Sequence, residues 1–329
     1  MEYRQLGKSN LKPSAIVYGA WAIGGSMWGK ADEADAVAAI RTSIDLGINA
    51  VDTAPLYGFG QSERLVGQAL AGRRDKVLIF TKYCLRADRT EGEFFFTMDD
   101  FGKPVKVYKN ARKEAIYEEC ERSLRDLGTD YIDLYQCHWR DNTTPVEETM
   151  EAMARLIEQG KIRAAGVSNF TVEEIEACNK VIPLASDQPP FSMVNRGAKD
   201  DILPFCLKNK IGIVVYSPMQ RGLLTGKFKP DHKFDPYDHR AGQPHFKPQN
   251  IRRINTFLEG LRPIMEEHNA TTSQVVVNWT IQQPGITSAL VGARNAEQAR
   301  ENAGAGAFML TLKEVQEITA RLDELKLDL

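Results

Sequence analysis

The chain has 329 residues, is 43% apolar and 26% charged, and carries a formal net charge of −2. Those proportions describe a globular protein with an ample core, and without a basic stripe interleaved with aromatics they exclude a nucleic-acid partner. No apolar run approaches the roughly 20 residues that cross a bilayer, and the polar start MEYRQLGKSN is no secretory signal.

Five cysteines (Cys84, Cys120, Cys137, Cys178, Cys206) without any C-x-x-C spacing read as reduced thiols, so a cytoplasmic protein is expected. From residue 16, short β-type runs alternate with helical patterns. A run over 16–20 precedes a helix from about Asp32, with Glu33 and Asp35 in its first turn. INAVD (48–52) precedes a helix near 62–71. VLIFTK (77–82) is followed, after a long excursion, by a helix at about 113–127 that Gly128 ends. YIDLYQCH (131–138) leads to a helix at 146–159, and RAAGVS (163–168) to a Thr171-x-x-Glu174 capping box. PLASDQ (183–188), the least β-like run, precedes a helix near 199–209. IGIVVYS (211–217) precedes helical patterns at about 251–268 and 271–283. SALVG (288–292) is the last strand, with one helix from Ala296 and an amphipathic one after Thr311.

Eight β-runs, each trailed by helix, imply a parallel sheet buried on both faces, open or closed. An open dinucleotide-binding sheet wants G-x-G-x-x-G after its first strand, where this chain has GAWAIGG (19–25). The expected fold is therefore α/β: a (β/α)₈ TIM barrel forming one domain over 1–329. YRQLGKSNLKPS reads as an N-terminal β-hairpin capping its bottom, and the final helix as a C-terminal addition. Within the excursion 84–112, EFFFTM (93–98) and PVKVY (104–108) flank DDFGK, a hairpin pattern. That hairpin is expected to wall a substrate pocket with some of Phe94, Phe95, Phe96 and Phe101.

Catalytic groups of such barrels sit at the C-terminal ends of strands. Asp52, Lys82 and His138 end three successive β-runs, and Tyr57 lies just after Asp52. Singly, each has a bland structural explanation; together they converge on one rim.

The same residues carry a family resemblance. DTAPLYG (52–58), FTK (80–82), LYQCHW (134–139), GVSNF (166–170), QRGLLTGKF (220–228) and VGARNAEQARENAGA (291–305) resemble the aldo-keto reductases across nearly the whole chain. Within them the chain is most similar to the bacterial branch that includes the Bacillus general stress reductases. The resemblance implies NADPH-dependent reduction of small, sugar-like or other carbonyl compounds, or the reverse oxidation. It implies Tyr57 as general acid, Lys82 as the ammonium that lowers its pKa, Asp52 as holder of the lysine, and His138 as guide to the carbonyl oxygen. A free tyrosine has a pKa of about 10, so bringing it towards neutrality takes ~4 kcal/mol of preference for the phenolate. For the cofactor it implies Ser168, Asn169 and Gln188 at the carboxamide and Tyr216 stacked on the nicotinamide. Ser217, Met219, Arg221 and Lys227 would lie along the pyrophosphate. Gly292, Arg294, Gln298 and Asn302 would hold the 2′-phosphate and adenine. Ala20 and Trp21 would line the pocket floor.

Other motifs lead nowhere. RGLLTGKF is one residue short of a P-loop and has Phe228 where Ser or Thr is needed. No Y-x-x-x-K occurs. His232, His239 and His245 lie in the stretch 227–249 without ligand spacing, so no metal is expected there, and the stretch reads as a loop near the cofactor. Two rival functions fit part of the pattern: a regulatory protein of the same fold that binds the cofactor with little turnover, and an isomerase or aldolase using Lys82 as a Schiff base. The intact Asp52, Tyr57, Lys82 and His138 set favours a reductase over both.

Overall fold

The computed structural model of the chain describes residues 1–235 and 238–329. β1 (Ile16–Gly19) leads to α1 (Glu33–Asp45), β2 (Ala50–Asp52) to α2 (Gln61–Leu70), and β3 (Leu78–Tyr83) to a separate antiparallel sheet of β4 (Leu85–Arg86), β5 (Glu93–Asp100) and β6 (Lys103–Lys109). After α3 (Lys113–Leu127) the alternation resumes: β7 (Ile132–Cys137), α4 (Val146–Glu158), β8 (Ile162–Ser168), α5 (Val172–Val181), β9 (Ser186–Gln188), α6 (Ile202–Asn209) and β10 (Gly212–Val215). α7 (Pro248–Glu259), α8 (Arg262–Glu267) and α9 (Thr272–Ile281) precede β11 (Ile286–Val291), and α10 (Ala296–Gly304) and α11 (Leu312–Glu324) close the chain.

β1, β2, β3, β7, β8, β9, β10 and β11 form a closed parallel barrel, sealed where β1 pairs with both β2 and β11. The (β/α)₈ reading of the sequence holds. Thr171 builds the expected capping box with Glu174, and Thr271 and Thr311 build two more with Gln274 and Glu314. The helical pattern over 251–268 is two helices, not one. Pro263, which has no N–H to donate, forces a fresh start at the beginning of α8.

Strand periodicity splits the core in two. Val17, Ala50, Phe80, Leu134 and Val214 point into the barrel, whereas Ile16, Tyr18, Val51, Ile79 and Val215 pack outward against the helices. The N-terminal hairpin is real though short: Arg4 and Leu6 donate to the Pro13 and Leu11 carbonyls, and Tyr3 bridges Ser14. Its Leu6 and Leu11 plug the barrel's lower end. All five cysteines are free and buried, and among the described residues no helix is long and apolar enough to cross a membrane.

Candidate active site

Towards the C-terminal ends of the strands, the inward column of side chains turns from apolar to polar. Ala50 is followed by Asp52, Phe80 by Lys82, Leu134 by Gln136, and Val214 by Tyr216, each two residues on and hence on the same face. Lys82 is fully buried and donates to Asp52 Oδ1 at 2.5 Å and to the Thr53 carbonyl at 2.9 Å. Asp52 Oδ2 accepts from Gln188 at 2.8 Å and from Gln136 at 3.3 Å. A buried ion pair needs further hydrogen bonds to offset its desolvation, and here the Thr53 carbonyl serves the ammonium and the two glutamines the carboxylate.

The loop after β2 carries Tyr57 over this pair. Its ring centroid lies 5.1 Å from Lys82 Nζ and 5.8 Å from the His138 ring, which it meets edge-on. Two glycines fix the loop. A Cβ on Gly58, whose φ is +62°, would overlap the Gly24 carbonyl, and one on Gly24 would stand 2.7 Å from the Tyr57 carbonyl carbon.

Burial, with Asp52 close by, holds the Tyr57 hydroxyl well above its ordinary value. Lys82 Nζ, held by Asp52 and the Thr53 carbonyl, faces the Tyr57 ring. Burial pulls Lys82 itself down, against the opposing attraction of Asp52. His138 is held well below its usual range by burial and by the Lys82 charge, so its imidazole is neutral.

Beside these groups opens a cleft of about 650 Å³. Ser168, Asn169, Gln188 and Tyr216 line its floor as one hydrogen-bonded shelf. Ser168 donates to the Gln188 carbonyl at 2.8 Å, and Asn169 Nδ2 donates to Ser168 Oγ and the His138 carbonyl, both at 3.0 Å. The Tyr216 hydroxyl donates to Asn169 Oδ1 at 2.8 Å, which holds its ring still.

Ser217, Met219, Arg221, Lys227, Gly292, Arg294, Gln298 and Asn302 line the same cleft, as does Trp21. Several are already engaged. Lys227 faces Glu301 at 3.7 Å, Asn302 donates to the Gly292 carbonyl at 2.9 Å, and Gln298 accepts from the Arg294 N–H at 2.9 Å. Arg294 donates its guanidinium to the carbonyls of Trp28, Gly29 and Lys30 at 3.5, 3.3 and 2.5 Å.

Ala20 does not line the cleft. It is fully buried, its N–H donates to the Asp52 carbonyl, and its neighbours Gly19 and Trp21 form the wall instead. Lys82 is likewise behind the wall, out of reach for a Schiff base. Among the described residues no group of three or more His, Cys, Asp or Glu could hold a metal ion. His232 packs on Phe228 and Phe234, while His239 hydrogen-bonds the Met27 carbonyl at 2.8 Å between Trp21 and Trp28. Pro236 and Tyr237, within the loop expected at 227–249, lie outside the described residues.

The sequence reading missed Gln136, Trp28 and Arg240. Gln136 was detectable, since it shares the inward face with His138; Arg240, which stacks over Trp28 at 5.1 Å, lies where no periodicity marks it. On the excursion, β5 and β6 turn through Phe101 and Gly102, with φ of 50° and 88°, in a tight two-residue hairpin. Phe95 and Phe96 line the cleft; Phe94 and Phe101 are 53% and 44% exposed.

A profile of the Aldo/keto reductase family matches residues 15–323. The chain belongs to that family. Aldo-keto reductase YhdN of Bacillus subtilis (strain 168) is 39% identical over 301 residues, covering 91% of this chain and 86% of the relative. The NADH-specific methylglyoxal reductase of Escherichia coli (strain K12) is 36% identical over 306 residues, covering 91% and 92%. Among solved structures, the glycerol dehydrogenase AKR11B4 from Gluconobacter oxydans superposes with a TM-score of 0.88 at 34% identity, covering 98% of this chain and 96% of that one. Aldo-keto reductases are oxidoreductases that use a nicotinamide cofactor, and the cleft described above lies where this barrel opens at the ends of its strands.

Proposed function

We propose that the chain, working as a single barrel domain in the cytoplasm, reduces aldehydes or ketones with NADPH, Tyr57 donating the proton. The observation that carries this reading is the placement of the Tyr57 ring over the buried Lys82–Asp52 pair and against a neutral His138.

The residues present fit a nicotinamide dinucleotide. Amide and hydroxyl groups of Ser168, Asn169 and Gln188 sit beside the flat, anchored Tyr216 ring, and three cationic side chains, Arg221, Lys227 and Arg294, line the more exposed stretch of the cleft. When bound, the reduced nicotinamide supplies the hydride. The chain's own groups manage the oxygen. A hydroxyl held well above its ordinary pKa is fully protonated at neutral pH, so Tyr57 stands ready as donor. As its proton leaves, Lys82 beneath the ring stabilises the phenolate, and neutral His138 orients the carbonyl by hydrogen bonding.

Preference for NADPH is supported by Arg294 and Lys227, whose charges suit a phosphate. The Escherichia coli relative is NADH-specific by name, so the deciding experiment uses both cofactors. Purified protein should consume NADPH faster than NADH when an aldehyde is added. A chain that binds either cofactor yet consumes neither would be the regulatory protein of the rival reading.

A further inference from the structure

Half of the cleft is not used by the proton-donating or cofactor-holding groups. Trp21, Leu56, Leu85, Phe95, Met98 and Trp139 build it, next to Tyr57 and His138. Phe95 packs on Trp139 with centroids 5.0 Å apart and planes at 50°, and Phe96 supports it edge-on at 5.0 Å. Trp21 is braced edge-on by Trp28 at 5.1 Å. These rings are held in place before any substrate arrives, so little ordering is left for binding to pay for.

Of the charges nearby, Arg240 pairs with Asp238 at 2.5 Å, and Arg221, 5.9 Å from the Trp21 ring, belongs to the cofactor stretch proposed above. Lys109 pairs with Glu93 at 2.8 Å and stands 5.1 Å from the Phe95 centroid. Ser26, a hydroxyl on the cleft wall, donates to Asp100 at 2.7 Å. A polyol entering here would surrender water at each hydroxyl and meet few partners, a loss for every unmatched group. A flat aryl ring would instead find ring faces, ring edges and the Met98 thioether, which favour it geometrically.

We propose that this half of the cleft is an aryl site, selecting aldehydes and ketones whose carbonyl is attached to a substituted or fused aromatic ring, with Phe95 and Trp139 as the residues that read the ring. The proposal rests on the carbonyl-reducing function above: the carbonyl carbon takes a hydride from the reduced nicotinamide, the oxygen takes the Tyr57 proton, and an aryl alcohol leaves. Phe95 and Trp139 determine specificity and take no part in the chemical step.

Two measurements test it. The first compares kcat/KM for naphthaldehyde, decanal and glyceraldehyde, in wild type and Phe95→Ala. Naphthaldehyde is expected to lead both others. Phe95→Ala is expected to lower the naphthaldehyde-to-glyceraldehyde ratio by about tenfold, the usual weight of one lost aromatic contact with its buried area, with Phe95→Leu in between. The second is calorimetric binding of naphthylmethanol, the alcohol product, which Phe95→Ala should weaken by a similar factor. Decanal equal to naphthaldehyde, or a selectivity ratio untouched by Phe95→Ala, overturns the aryl site and leaves carbonyl reduction standing. Naphthylmethanol binding that depends on Phe95, in a protein that reduces no aldehyde, supports the aryl site and removes the reductase reading instead.

Discussion

Gln188 donates its side-chain N–H to Asp52 Oδ2 at 2.8 Å, and the same nitrogen reaches Gln136 Oε1 at 3.3 Å. One amide hydrogen therefore goes to the ion pair and the other to Gln136, and Gln188 Oε1 is left as the acceptor on a cleft-lining residue. The residue proposed to hold the carboxamide is thus also a support of the proton-donating machinery.

Gln136 sets that orientation, so removing it should loosen cofactor binding without touching the cleft wall. Gln136→Leu deprives Asp52 of a donor and Gln188 of an acceptor, a loss of about 1–2 kcal/mol. The cofactor dissociation constant, followed by quenching of intrinsic fluorescence, should rise roughly tenfold. An unchanged constant would mean that Asp52 alone orients Gln188.

Tyr57→Phe should lower turnover by roughly 10²–10⁴, the ordinary worth of a general acid, while cofactor affinity stays nearly constant. Because burial holds the hydroxyl far above neutrality, the reduction rate of wild type should be flat through neutral pH. Loss should begin only at alkaline pH, as the donor ionises. A decline near pH 7 would reveal a different group in control. Lys82→Met should also lose turnover, since no charge then meets the phenolate.

Arg294 presents a sharper choice. Bound to a phosphate, one charge-assisted contact contributes about 1.5–3 kcal/mol, so Arg294→Ala should weaken NADPH about ten- to a hundredfold and spare NADH. Its present partners are the carbonyls of Trp28, Gly29 and Lys30. If binding of the two cofactors suffers equally, tethering that loop is its whole task.

Glu63 gives a stability prediction. It lies buried between α2 and β3, accepting from Thr81 Oγ1 at 2.7 Å, with its second oxygen unpartnered, and burial pushes its carboxyl up to about 7. An unfolded glutamate titrates near 4.5. Between those values the folded state binds more protons, so stability falls as pH rises, and the whole contribution is lost above about 7. Glu63→Gln removes this slope. It should raise Tm at about pH 8 and leave it almost unchanged at about pH 5. Glu119, likewise buried and pushed up to about 7, keeps part of the dependence in the variant. A Tm gain of equal size at both pH values would point to packing instead of ionisation.

What could be read from the sequence follows from periodicity. Asp52, Lys82 and His138 end clear apolar β-runs, so their common rim was legible, whereas closure of the eight strands rested on GAWAIGG standing where an open dinucleotide-binding sheet wants G-x-G-x-x-G. The Tyr57 environment was not. The pull of Lys82 on the hydroxyl depends on where its charge is spent, and the 2.5 Å contact with Asp52 is a fact of three dimensions. Arg240 and the carbonyls of residues 28–30 were hidden for another reason: they lie on irregular loops, where no repeat links sequence to direction. The split between α7 and α8 is marked in the sequence by Pro263 alone, because the apolar spacing continues across it.

The sheet of β4, β5 and β6 pairs with itself alone, and it meets the barrel through side chains such as Ser26 with Asp100 and Arg86 with Glu118. Everything between Cys84 and Lys109 can therefore be exchanged without breaking one hydrogen bond of the barrel's strand ladder. On the reading proposed above, this segment can be rewritten for a new compound while the lysine-bearing strand before it keeps its own ladder. Transplanting the segment into a relative should accordingly carry the preference for a substrate along, and leave the recipient's folding largely its own.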